Sequence, residues 1–313
     1  MTRKQIVLLG GLGIVLVTGT LTGALYARDL SHARARIAAG SRIAQTACGP
    51  VEYADTGQGP PVLVIHGAGG GFDQGVLLGE SLLGAGHRII APSRFGYLSS
   101  PLPADASVQA QAAAYASLLD GLGLEAVPVV AISAGGPSGL QFALDYPERT
   151  EALVMVSALS WMDPVRTGED ARRTTAINRV MGSDFLYWSV IHVARRPMLS
   201  LLGVTPELMR DLPPTEQQRV DAILDGMLPL SQRMPGIMAD QGYTFSRDQP
   251  LESITAPVLV LHCRDDTLVR FEHGQHTADR IPGAVLHAME TGGHFSIGGT
   301  QVIQVVVTDF LAQ

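Results

Sequence analysis

The chain has 313 residues, is 46% hydrophobic and 16% charged, and carries a formal net charge of −7. That length suits one large α/β domain with a small insertion and is too short for two full-sized enzyme domains. The acidic balance, without a basic stripe, excludes a nucleic-acid partner, and no fixed-period repeat points to a solenoid or propeller.

Arg3 and Lys4 precede an uncharged stretch from Ile6 to Ala27, about the length that crosses a bilayer as a helix. Residues 1–27 are therefore expected to form a membrane anchor. A cleaved secretory signal ending near Thr22-Gly23-Ala24 is the alternative. A short basic tail before a long soluble domain is the arrangement of a signal anchor, which places the soluble domain outside the cytosol. Cleavage would release it, secreted or periplasmic. Arg28, Arg34, Arg36 and Arg42 on the far flank argue for the opposite orientation. Residues 28–50 are small, polar and dotted with arginine, and read as a linker or a short amphipathic helix.

From Val51 onward the pattern becomes strand, glycine turn and helix in repetition. Val62–Ile65, Arg88–Pro92, Val127–Ile132, Leu153–Val156, Val258–Leu261 and Val285–Ala288 are predicted strands. Most are apolar throughout, as strands buried on both faces of a parallel sheet are. Helices are predicted at Val108–Leu122 and Ala134–Tyr146. Strand alternating with helix implies a doubly wound, mostly parallel sheet. Its two halves are expected at 51–159 and 248–313, with a helical cap at 160–247 inserted between them. Cys48 and Cys263 are expected to remain unpaired. Lys4 is the only lysine, so the folded part offers none for a Schiff base or a phosphate loop.

Four short segments carry candidate chemistry. Ala131-Ile132-Ser133-Ala134-Gly135 joins a strand to a helix, where a sharp turn would expose the Ser133 hydroxyl at a helix N-terminus. A helix-capping serine suits the same spot. His66-Gly67-Ala68-Gly69-Gly70-Gly71 follows an earlier strand. Acyl transfer needs two backbone N–H groups aimed at an oxyanion, and Ala68 and Ala134 are the natural pair. Leu261-His262-Cys263-Arg264-Asp265-Asp266 ends another strand, and Gly292-Gly293-His294-Phe295 follows the last one. Serine, aspartate and histidine in that chain order form a candidate triad. Glu272, His273 and His276 share a helical segment, but this chemistry calls for no metal or other cofactor, and an exposed helix face is their expected role.

Residues 51–311 resemble the α/β-hydrolase superfamily. The matching pieces are the HG-x-G loop at His66, Ser93-Arg94-Phe95-Gly96-Tyr97, the serine elbow, the Asp266 strand end and Gly293-His294-Phe295. Ala131 stands in place of the elbow's first glycine, Cys263 in place of the glycine before the acid, and Ser93 and Leu98 in place of a common Asp and Gly. The resemblance implies Ser133 as nucleophile, His294 as base and Asp266 as acid, with Asp163 and Asp265 as rival acids. It implies a serine hydrolase acting on a small-molecule carboxylic ester with an apolar acyl or alcohol part. A carbon–carbon, lipid or lactone hydrolase and a silent membrane-tethered binding protein are the alternatives. Trp161, Met162, Phe185, Leu186, Tyr187, Trp188, Met198, Leu199, Leu201 and Leu202 are candidates to line an apolar pocket, with packing the expected role for most. Arg195-Arg196 is expected to be a solvated helix face.

Overall fold

A computed structural model describes residues 2–162, 178, 181–210, 212–242 and 244–313, with the backbone alone at residues 3–4 and 6–16. One sheet runs through the molecule. Its strands are β1 (Arg42–Thr46), β2 (Gly49–Gly57), β3 (Pro61–Ile65), β4 (Arg88–Pro92), β5 (Val127–Ile132), β6 (Thr150–Val156), β7 (Val258–Cys263) and β8 (Val285–Met289). Their spatial order is β1-β2-β4-β3-β5-β6-β7-β8. β1 pairs antiparallel with β2, and β2 antiparallel with β4. All later pairings, from β4–β3 to β7–β8, are parallel.

The uninterrupted apolar runs have the reason expected of them, since side chains from both faces of each central strand are buried. Leu63, Ile65 and Val129 point into one core with α3 (Val108–Gly121) and α4 (Gly136–Asp145). Val62, Val64 and Val130 point into the other with α2 (Phe72–Leu83) and α10 (Thr300–Leu311).

The N-terminal residues depart from expectation. α1 is one continuous helix, Arg3–Gly40, so the segment read as a linker or a short amphipathic helix is helical to Gly40, continues the apolar stretch without a break and then enters the sheet as β1. At ~1.5 Å per residue α1 is about 57 Å long. Leu30, Ala33 and Ile37 are buried at helical spacing, a short apolar stripe that docks this half of α1 on the protein. β1 was illegible because it is an edge strand with mostly exposed side chains, which removes the apolar alternation. Among the described residues, no helix is long and apolar enough to cross a membrane. The side chains of Ile6–Leu16, half of the expected anchor, lie outside them.

Between β6 and β7 lie α5 (Asp184–Val193), α6 (Arg195–Leu201), α7 (Pro214–Gly226) and α8 (Met234–Asp240). Met162 and Phe245 pair antiparallel where the chain leaves and rejoins the core. Tyr187, Trp188, Met198 and Leu199 pack inside this helical layer with Leu30 and Ala33 of α1, whereas Phe185, Leu186 and Leu201 are exposed. Arg195 pairs with Asp221 and Asp225, and Arg196 is exposed.

A buried ion pair fastens this layer to the sheet. Arg94 donates to both Asp240 carboxylate oxygens at 2.6 and 2.7 Å, and the Tyr97 hydroxyl donates to the same carboxylate at 2.6 Å. Deleting one member of such a pair strands the other charge away from water. Asp240→Ala is therefore expected to lower unfolding free energy by about 3–5 kcal/mol, read by urea denaturation. A loss below ~1 kcal/mol would mean that water reaches Arg94 at little cost.

Candidate active site

The turn after β5 is built around Ser133, whose φ of +52° lies in the left-handed region that side chains avoid. The surroundings enforce it. A Cβ on Gly135 would meet the His66 carbonyl oxygen at 2.7 Å and that of Ile65 at 2.9 Å. The Leu159 N–H donates to the Ser133 carbonyl at 3.0 Å. Ala131 is tolerated in place of glycine because Gly139 of α4 faces it, where a Cβ would lie 2.5 Å from the Ala131 methyl.

Ser133 Oγ lies 3.0 Å from His294 Nε2, and His294 Nδ1 lies 2.8 Å from Asp266 Oδ2. A carboxylate only accepts, so Nδ1 carries the proton and Nε2 presents its lone pair to the serine hydroxyl. The other Asp266 oxygen accepts from the Leu268 and Val269 N–H groups, both at 2.9 Å. Burial alone would raise the Asp266 carboxyl. Hydrogen bonds from His262, His294 and the backbone outweigh it and hold the group well below the usual carboxylate range.

The two adjacent aspartates do different work. Asp265 accepts from the Gly292 and Gly293 N–H groups at 3.2 and 2.9 Å and so holds the loop that carries His294. That loop needs glycine, with φ of +137° at Gly292 and +59° at Gly293. A Cβ at Gly292 would sit 2.9 Å from Cys263 Sγ. Cys263 and Cys48 are unpaired. Asp163, the other rival acid, lies outside the described residues.

The loop after β3 runs beside the serine, so closely that a Cβ on Gly67 would lie 2.9 Å from that of Ser133. His66 is buried and anchors the loop's start. Its Nδ1 donates to the Gly67 carbonyl at 2.7 Å and its Nε2 accepts from the Arg94 N–H at 2.9 Å. Burial, reinforced by the Arg94 charge, pushes His66 well below its usual value, so the ring stays neutral. The Gly67 N–H donates to Gln74 Oε1 at 2.9 Å, and the Gly70 N–H to the Gly67 carbonyl at 3.3 Å. Ala68 stands exposed between them. The Ala134 N–H is among the first donors of its helical turn, which have no intrahelical acceptor.

The fold thus brings Ser133, His294 and Asp266 into one hydrogen-bonded line, next to the loop that holds Ala68. Sequence reasoning missed His262, which is fully buried. Its Nε2 donates to the Val269 carbonyl at 2.8 Å and lies 3.4 Å from Asp266 Oδ2. A histidine inside the otherwise apolar strand Val258–Cys263 was the available signal, because a buried polar group demands a partner. His273 corrects the expectation of an exposed helix face. It is buried under Trp161, ring centroids 3.6 Å apart, because the inner face of α9 (Glu272–Arg280) packs on β7 and β8. Burial lowers its pKa to about 4.

A family model for the alpha/beta hydrolase fold matches residues 60–298. The chain belongs to the alpha/beta hydrolase fold family. This alpha/beta hydrolase is 32% identical over 263 residues to the uncharacterized hydrolase YcgS of Bacillus subtilis (strain 168), covering 79% of this chain and 88% of that one. It is 28% identical to a 2-hydroxy-6-oxo-6-phenylhexa-2,4-dienoate hydrolase of Burkholderia cepacia, covering 77% and 84%. A solved alpha/beta hydrolase fold protein from Nakamurella multipartita superposes with a TM-score of 0.71 at 26% identity, covering 87% and 99%. A cavity of about 790 Å³, partly open to solvent, also lies between α1, α2 and the helical layer between β6 and β7. It reaches Gly69 of the loop and is lined by Trp188 among the predicted pocket residues, but by neither Ser133 nor His294.

Proposed function

We propose that this alpha/beta hydrolase cleaves small-molecule carboxylic esters through an acyl-enzyme on Ser133. The observation that carries the reading is the continuous Ser133–His294–Asp266 line of hydrogen bonds. His294 removes the serine proton as Oγ attacks the ester carbonyl, and Asp266 stabilises the imidazolium. The N–H groups of Ala68 and Ala134 receive the oxyanion. His294 then protonates the leaving alcohol, and water activated by the same ring hydrolyses the acyl-enzyme. No step requires a metal or cofactor.

A second reading, hydrolysis of a carbon–carbon bond beside a carbonyl, draws support from the similarity to the dienoate hydrolase. Both use an attacked carbonyl, so the cap and not the triad would choose between them. For location, we propose that the first half of α1 anchors the protein in a membrane with the catalytic domain outside the cytosol. The basic pair Arg3 and Lys4 before the uncharged stretch Ile6–Ala27 supports this.

The test uses the full chain with p-nitrophenyl esters of increasing acyl length, a vinylogous diketone and a fluorophosphonate probe. Ester turnover and a phosphonylated Ser133 peptide are the expected results. Turnover of the diketone alone would select the second reading, and no turnover with no labelling would sink both.

A further inference from the structure

Two arginines from distant parts of the chain meet at Asp73, in the first turn of α2 and directly after the 66–71 loop. Arg233, between α7 and α8, has no exposed surface, and every one of its N–H donors is engaged. Nε donates to the Met227 carbonyl at 3.0 Å. Nη1 donates to the Gly70 carbonyl at 2.6 Å and to Asp73 Oδ1 at 2.9 Å. Nη2 donates to Asp73 Oδ2 and the Gly226 carbonyl, both at 2.8 Å.

Arg36, on α1, donates to Asp73 Oδ2 from the other side. Its second nitrogen donates to the Gly226 and Leu228 carbonyls at 3.1 and 3.0 Å. Those carbonyls flank Met227, whose methyl group lies 2.4 Å from where a Gly69 Cβ would be. Burial alone would raise the Asp73 carboxyl, yet Arg233 and Arg36 bring it down to about 2, as a carboxylate held between two guanidiniums should be.

These contacts converge on the loop. Arg233 pins the Gly70 carbonyl, Gln74 pins the Gly67 N–H, and Ala68 and Gly69 lie between the two pins. Arg36 is the point at which α1 enters this arrangement. We infer that Arg36 is a positioning residue, through which α1 holds the loop carrying the Ala68 N–H in its working geometry. The inference rests on the proposed serine-hydrolase reading. It makes α1 a working part of the catalytic domain as well as a tether. A single arginine serves because its planar fork reaches a carboxylate and two carbonyls at once, which the point charge of a lysine does not.

The test compares full-length wild type, Arg36→Ala, Arg36→Lys and the control Arg88→Ala. The control removes an arginine of β4 paired with Asp55 of the neighbouring β2, away from the loop. Active sites are titrated with the fluorophosphonate, so that a smaller folded fraction does not count as slower turnover. Losing one oxyanion donor outright costs about 10²–10³ in kcat, so a misaimed one should cost Arg36→Ala about tenfold per titrated site, with KM little changed. Arg36→Lys should recover part of the loss and Arg88→Ala should match wild type. Hydrogen exchange of the peptide spanning residues 66–73 reads the same link without turnover and should be faster in Arg36→Ala. Unchanged exchange would overturn the link. Faster exchange with wild-type kcat would overturn its catalytic role. A wild type that neither turns over esters nor takes the probe would sink the hydrolase reading, a separate and recognisable result.

Discussion

Ser133→Ala is expected to lower kcat on a good ester by about 10⁶-fold with little change in KM. The hydroxyl is the only group of the line that would bond to the substrate, and alanine has nothing to give His294. What remains is the fixed polarity of the loop and turn, which in comparable sites still provides about 10³–10⁴ over water. On the proposed mechanism nucleophile and base act as one unit, so adding His294→Ala to Ser133→Ala should cost almost nothing more, which direct comparison of single and double variants will show. Turnover of Ser133→Ala within about tenfold of wild type would sink the acyl-enzyme reading. The elbow makes the variant a fair test. Alanine in place of serine leaves the positive φ and the packing of Gly135 against His66 untouched.

The second large effect separates two neighbouring residues. Asp266→Asn should lower kcat by about 10⁴-fold, because an amide offers no full negative charge and favours the wrong imidazole tautomer. Asp265→Asn should cost about tenfold or less in kcat. Its oxygen can still accept from Gly293, and the His294 loop loses only part of its support. The depressed Asp266 carboxyl adds a pH signature. A lowered pKa keeps the group ionised on the acid side, so the decline of kcat/KM at low pH should not trace to Asp266. Equal losses in the two variants, or a larger one in Asp265→Asn, would overturn the assignment. So would a comparable loss in Asp163→Asn.

Much of this was legible from local patterning. The strands that build the parallel sheet are apolar on both faces, and that shows as unbroken runs such as Val62–Ile65. The elbow is legible because backbone strain at Ser133 requires small residues on both sides. Ala131 obscured that pattern, and only the opposing Gly139 explains why the methyl group fits.

Chain order and residue type together determined the superfamily resemblance, the parallel sheet and three candidate residues at strand ends. These are local properties, written within a few residues of each position. Tertiary structure alone decided which aspartate reaches the histidine, since Asp265 and Asp266 differ in sequence by one step, yet one meets the Gly292 and Gly293 N–H groups and the other the His294 ring. It alone decided that α1 continues to Gly40 and ends in β1, because an exposed edge strand carries no apolar alternation. It alone joined Arg36, Asp73 and Arg233. Their partnership depends on separations of 37 and 160 residues, and a charged side chain in a sequence does not show whether its partner lies in water or across the core.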